Sequence, residues 1–160
     1  MFGFKNKNKK VEFKAMASGV LIPITKVADD VFSQKMMGDG FAIQPNKGEI
    51  LAPISGEIKM VADTKHAIML VTDTGLEILL HLGIDTVELQ GAPFKIHVSV
   101  GDQVSVGDKL ADMDLDFIRE HEKKTTAITV ITNMDKVSTV DVKKVENVTP
   151  ADVVADVTLS

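Results

Sequence analysis

Two histidines, His66 and His81, stand on either side of a turn signal, Thr72-Asp73-Thr74-Gly75. A two-residue loop at Asp73-Thr74 sets Thr72 opposite Gly75 and His66 directly opposite His81, with Cβ atoms ~4.5–5.5 Å apart. Alternation along the strands then puts Thr64, His66, Ile68 and Leu70 on the face shared by Glu77, Leu79 and His81. Gly75 also suits a three-residue loop with a bulge, which sets Leu82 opposite His66 and leaves the imidazoles diagonal. Both registers keep the rings near each other.

Neighbouring imidazoles suit three roles. Imidazole is a common zinc ligand, but a catalytic zinc needs a third protein ligand, and no H-x-H or H-E-x-x-H spacing supplies one here. A neutral imidazole is also a nucleophile near neutral pH, and a second ring can donate a hydrogen bond to phosphoryl oxygens during transfer. Like-charge repulsion discourages protonation of both rings and so keeps the nucleophile neutral. Thr64, two residues before His66, is placed to orient the supporting ring, and Gly83 and Gly91 are expected to leave the backbone accessible. The third role is purely structural, two ordinary strand histidines, and geometry alone leaves it open.

The elements that must position these residues read as short strands. Between Ala42 and Ile84 the chain alternates strand and turn, punctuated by Gly48, Pro53, Gly56 and Gly75. Further strands follow in HVSVGDQVSVGDKLADMD and TAITVITNMDKVSTVDV, where Val-x-Val-Gly-Asp recurs at Val98–Asp102 and Val104–Asp108. One stretch asks to be a helix, FIREHEKK with Asp114 or Asp116 as its cap, and residues 27–40 read as a loop with one helical turn. The expected fold is all-β: a single-domain antiparallel β-barrel or sandwich, a β-roll with short helical turns.

Composition narrows the function. The 160 residues suit one domain with a real core, and the absence of cysteine removes disulfides, thiolate metal sites and cysteine nucleophiles. The net charge is −5, yet four of the 18 basic residues fall in the first ten positions, MFGFKNKNKK, so the body is strongly acidic. An acidic body argues against nucleic acid, which needs clustered positive charge. Residues 1–14 are expected to be a flexible basic tail, whose Phe2 and Phe4 among lysines would give at most a weak contact with an anionic membrane surface. No run approaches the ~18 apolar residues of a membrane span, and no signal peptide is evident.

The stretch from Gly75 to Leu89, GLEILLHLGIDTVEL, closely resembles the active-site signature of enzyme IIA of the glucose class. That family supplies the phosphocarrier of the bacterial phosphoenolpyruvate-dependent sugar phosphotransferase system. The resemblance extends to VFSQKMMGDGFAIQP (Val31–Pro45), APISG (Ala52–Gly56), TKHA (Thr64–Ala67) and TNMD (Thr132–Asp135), in the family's order. It implies a phosphocarrier domain over residues 15–160, with His81 accepting the phosphoryl group through Nε2, His66 supporting it and Thr64 bonding to His66. Asp29 and Asp85 match carboxylates that flank the family's site and meet basic groups on partners. The implied docking surface adds Phe32, Leu79, Leu82 and Gly83. Ala62, Leu79 and Leu82 are aliphatic where family members can be aromatic, so an apolar surface is still expected.

The implied donor is the phosphohistidine of HPr and the implied acceptor a cysteine on a sugar-specific IIB domain, which this cysteine-free chain cannot itself be. No cofactor and no metal are assigned. The starting Met and basic tail favour a separate polypeptide over a fragment cut from a larger transporter. The role implies a monomer in the cytoplasm, with peripheral contact at the inner face of the membrane through the tail.

Two rival readings are weaker. A lysostaphin-type zinc peptidase needs an H-x-H pair, whereas His97 stands alone in KIHVS and is read as structural. A biotinyl or lipoyl carrier would need Lys59 at a hairpin tip, but Lys59 reads as a surface strand lysine. His121, between Glu120 and Glu122, reads as part of a solvated helical face.

Overall fold

The computed structural model describes residues 9–160, so the segment carrying Phe2 and Phe4 lies outside the described residues. Strands run over Lys10–Lys14 (β1), Gly19–Pro23 (β2), Asp39–Pro45 (β3), Glu49–Leu51 (β4) and Gly56–Val61 (β5). Ala67–Val71 (β6) and Glu77–Ile84 (β7) form the histidine-bearing hairpin. Phe94–Ile96 (β8), Gln103–Val104 (β9), Lys109–Met113 (β10) and Lys124–Ile131 (β11) follow. Val137–Val142 (β12), Asn147–Val148 (β13) and Val153–Leu159 (β14) complete the described strands. Two short helices, Asp30–Ser33 (α1) and Leu115–Glu120 (α2), interrupt them.

The strands form one eight-stranded sheet, β13-β2-β3-β11-β7-β6-β5-β9, and two of three strands, β1-β14-β12 and β4-β10-β8. Every pairing is antiparallel. The large sheet runs from β13 to β9 without closing on itself, so the fold is a sandwich rather than a barrel.

The centre of the large sheet is covered on both faces. On one, Ile68, Leu70, Ile78, Leu80 and Leu82 join Phe13, Met16 and Ile43 in the main core. On the other, Ala42, Ala67, Leu79, Ile128 and Val130 form a smaller apolar cluster beneath Phe32 and Ile24. A strand covered on both sides carries apolar residues at successive positions instead of alternating them. That is why Leu76 to Leu82 reads as nearly continuous, and it makes His81 the one residue of β7 after Glu77 that is only partly buried.

The expected tail boundary is corrected. Lys10–Lys14 is strand β1, paired with β14, rather than the end of a tail. Phe13 is 1% exposed and meets Phe41 edge to face at 6.3 Å. Val11 packs against the same core, so alternation within VEFK supplies the inward face.

The recurring Val-x-Val-Gly-Asp segments form two like turns. Asp102 accepts a hydrogen bond from the Ser99 amide and Asp108 from the Ser105 amide, each at 2.8 Å. Of the two candidate caps of helix α2 the first is used: Asp114 accepts from the Phe117 amide, and Asp116 lies within the first turn. Asp29 caps α1 in the same way by accepting from the Val31 amide at 2.9 Å. That cap seats Phe32 over the smaller cluster.

Candidate functional site

The β6–β7 hairpin closes through a three-residue loop, with the Thr72 amide donating to the Leu76 carbonyl and Gly75 at φ +90°. Ala67, not His66, is therefore opposite His81. The two-residue loop is corrected and the diagonal arrangement stands, because Gly75 supplies the left-handed position of a bulged loop. The shared face is corrected with it. Ile68 and Leu70 point into the main core, away from His81.

Strict alternation would then send His66 to the wrong face. It escapes because β6 begins only at Ala67. The preceding turn, closed by the Lys65 amide on the Ala62 carbonyl with Lys65 at φ +61°, delivers His66 around the end of the strand. The Leu82 amide donates to the His66 carbonyl at 2.7 Å and fixes the backbone there. The rings meet edge to face, centroids 5.2 Å apart and planes at 79°.

Each ring is held by its Nδ1. The Thr64 hydroxyl lies 2.6 Å from His66 Nδ1. His81 Nδ1 lies 2.7 Å from the Gly83 carbonyl oxygen. A carbonyl only accepts, so Nδ1 of His81 carries the proton and Nε2 of the neutral ring keeps its lone pair. The Phe32 ring lies against His81, centroids 4.9 Å apart.

The electrostatics favour the neutral form. Burial holds His81 below the ordinary imidazole range and the neighbouring His66 adds to this. The Gly83 hydrogen bond and the charges of Asp29 and Asp85 act the other way, and burial prevails. His66 is also lowered by burial. Asp29 is half-buried and Asp85 exposed, and both lie close enough for their charges to act on His81. Among the described residues, no group of three or more His, Cys, Asp or Glu side chains is arranged to hold a metal ion.

The apolar surroundings differ from expectation. Leu82 is 0% exposed in the main core on the opposite face from His81, so its side chain is unavailable to a partner. Phe32 and Leu79 are buried in the smaller cluster and form the floor of the site, not its rim. Gly83 and Gly91 do not open the backbone; both are buried, and the Gly83 carbonyl is occupied by His81. Exposed apolar surface comes instead from Val31 on α1, next to Phe32, and from Val87, 46% exposed and two residues beyond Asp85. Their nearness in sequence to the two flanking carboxylates was the available signal.

Residues 11–137 match the family model described as phosphoenolpyruvate-dependent sugar phosphotransferase system, EIIA 1. The chain belongs to this family. It is 43% identical over 148 residues to the glucose-specific EIICBA component of this system from Streptococcus pneumoniae serotype 4 (strain ATCC BAA-334 / TIGR4). The match takes in 92% of this chain and 20% of that protein, so the chain spans about a fifth of the curated relative. Among solved structures it is similar to the glucose permease IIA from Mycoplasma capricolum, with TM-score 0.83 and 38% identity, covering 93% of this chain and 96% of that one. The protein is thus an EIIA of the glucose class, a phosphotransferase component built on the antiparallel β-sandwich of that family.

The other histidines stand elsewhere in this EIIA fold. His97 Nε2 pairs with Asp112 at 2.7 Å, within an exposed network that includes Lys109. His121 ends α2, where its Nδ1 donates to the Phe117 carbonyl at 2.8 Å and its ring stacks on Phe117. Lys59 lies within β5 beside Glu57, at 2.9 Å, and not at a hairpin tip.

Proposed function

We propose that His81 is the phosphoryl acceptor of this EIIA, taking the group from phospho-HPr and passing it to the cysteine of a sugar-specific IIB domain. The observation that carries this reading is the Nδ1–H of His81 on the Gly83 carbonyl, which leaves Nε2 unprotonated beside a second imidazole. The Nε2 lone pair attacks phosphorus as the P–N bond of the donor breaks, and that bond's electrons stay on the donor ring nitrogen. His81 keeps its Nδ1 proton throughout, so the positive charge that develops on the ring is shared with the carbonyl.

His66 supports the transferred group. When Thr64 donates its hydroxyl proton to His66 Nδ1, the other ring nitrogen carries hydrogen and can donate to a phosphoryl oxygen. Catalysis here is positioning and electrostatic stabilisation. Asp29 and Asp85 meet basic groups on each partner, and the apolar ground between them docks both in turn.

A monomer acting in the cytoplasm at the membrane's inner face fits this role, since the IIB partner belongs to a sugar permease. No helix among the described residues is long and apolar enough to cross a membrane.

Intact mass after incubation with phosphoenolpyruvate, enzyme I and HPr tests the reading. The wild type gains one acid-labile phosphate and His81→Gln gains none. A wild type that gains no phosphate while HPr is charged overturns it.

A further inference from the structure

The His81–Gly83 hydrogen bond depends on a backbone conformation that β-strands do not ordinarily adopt. Gly83 has φ +82° within β7, and Asp85 follows at φ +61°. Alternation fails at this kink: Ile84 packs in the same cluster as Leu79 rather than with Leu80 and Leu82. The partner strand compensates with a register shift, Ile84 facing Lys124 and Leu82 facing Ala127.

One side chain braces the kink from within. Thr86 is 0% exposed, and its hydroxyl donates to the Leu82 carbonyl at 2.5 Å. That carbonyl belongs to the peptide joining Leu82 to Gly83. Anchoring it fixes the plane of the Leu82–Gly83 peptide, the frame from which the Gly83–Ile84 peptide turns its carbonyl toward His81. The Thr86 methyl fills the space beside Gly83, where an added Cβ would collide with it and lie 2.9 Å from the Lys124 carbonyl oxygen. Every buried polar side-chain atom among the described residues has a partner, so the Thr86 hydroxyl is not an orphan seeking any acceptor.

We propose that Thr86 is a positioning residue for phosphoryl transfer: its hydroxyl holds the Leu82–Gly83 peptide so that the Gly83 carbonyl retains the His81 Nδ1 proton and leaves Nε2 as the nucleophile. The inference rests on His81 being the acceptor. Thr86 touches neither the ring nor the phosphoryl group and acts only through the backbone. Without the anchor, the Leu82–Gly83 peptide can tilt, Gly83 leaves its φ of +82° and the carbonyl of the following peptide turns away. The ring is then free to carry its proton on Nε2, where it blocks attack.

The test pairs imidazole nitrogen NMR on the unphosphorylated chain with phosphoryl acceptance from saturating phospho-HPr. In the wild type His81 is the Nδ1–H tautomer. In Thr86→Val, which keeps the shape and loses the hydroxyl, His81 becomes a mixture of tautomers and acceptance slows on the order of tenfold. Thr86→Ser, which keeps the hydroxyl, restores both to within about threefold of wild type. A Thr86→Val protein with the wild-type tautomer overturns the proposal, as does a Thr86→Ser no better than Thr86→Val. If Thr86→Val does not fold, Thr86→Ser decides alone: loss of the Nδ1–H tautomer there overturns the proposal and its retention supports it. A wild type that accepts no phosphate defeats the acceptor reading instead, while the NMR arm still reports on Thr86.

Discussion

The rings of His66 and His81 meet edge to face at 5.2 Å, yet each is locked from a different direction. His66 is held by the hydroxyl of Thr64 and His81 by the backbone of Gly83. A hydroxyl can donate or accept, whereas a carbonyl only accepts, so the two locks have different consequences. The Gly83 lock dictates one tautomer for the neutral ring. The Thr64 lock lets His66 present either a donor or an acceptor at its other ring nitrogen.

That difference separates the roles in mutants. His66→Gln is expected to accept phosphate detectably but to pass it onward poorly, because its hydrogen bond matters most in the transition state. Thr64→Val should lie between, with onward transfer slowed roughly tenfold and acceptance little changed. Single-turnover transfer to IIB measures both. Equal loss of acceptance in His66→Gln and His81→Gln would sink the division of roles.

Acidity offers a second handle. A protonated ring cannot attack, and burial lowers the His81 pKa from its ordinary value. Acceptance should therefore stay flat from about pH 8 to about 6.5 and fall only below that range. Stability should move in the same sense. Just below the ordinary pKa the unfolded ring binds a proton that the folded ring does not, so stability is lost as the pH drops through that window. Denaturant midpoints at neutral and mildly acidic pH check the sign, and a protein more stable at the acidic value contradicts the burial argument.

Gly83→Ala tests the kink. The substitution forces an L side chain to positive φ and against the Lys124 carbonyl, so it should cost about 2 kcal/mol or more of unfolding free energy. The folded fraction should also lose the Nδ1–H tautomer of His81. Chemical denaturation and nitrogen NMR read the two effects separately, and an alanine variant of wild-type stability would show that the kink is relaxed elsewhere.

The residues proposed for docking divide into those buried in the core and those that face solvent. Leu82→Ala should destabilise the protein by roughly 2–5 kcal/mol through a cavity in the main core. Val87→Ser and Asp85→Asn should leave stability within about 0.5 kcal/mol of wild type. Both should slow transfer from HPr, and Asp85→Asn should also reduce its dependence on salt. Asparagine tolerates the left-handed backbone at position 85, so a loss there reports on charge. Unaltered transfer in both surface variants places the docking ground elsewhere.

The local sequence by itself determined a good deal. Short Val-, Ile- and Thr-rich segments between turn residues specify antiparallel strands, Asp114 and Asp116 narrow the start of α2 to two candidate caps, and the order of blocks around His66 and His81 specifies the family. These are properties of neighbours along the chain, set by backbone sterics and side-chain pattern. Which face each residue occupies was not local. A one-residue change in the Asp73–Gly75 loop reverses every side chain of β6 relative to β7, and both loops satisfy the same glycine.

The tertiary structure chose between them by burying both faces of β7, sending Leu82 to the main core and leaving His81 over the smaller cluster. It also showed that Lys10–Lys14 is a strand, because Phe13 finds Phe41 only once β1 lies against β14. The tautomer of His81 lies furthest from the sequence. It is set by a carbonyl two residues away, turned toward the ring by a kink that strand alternation gives no reason to expect.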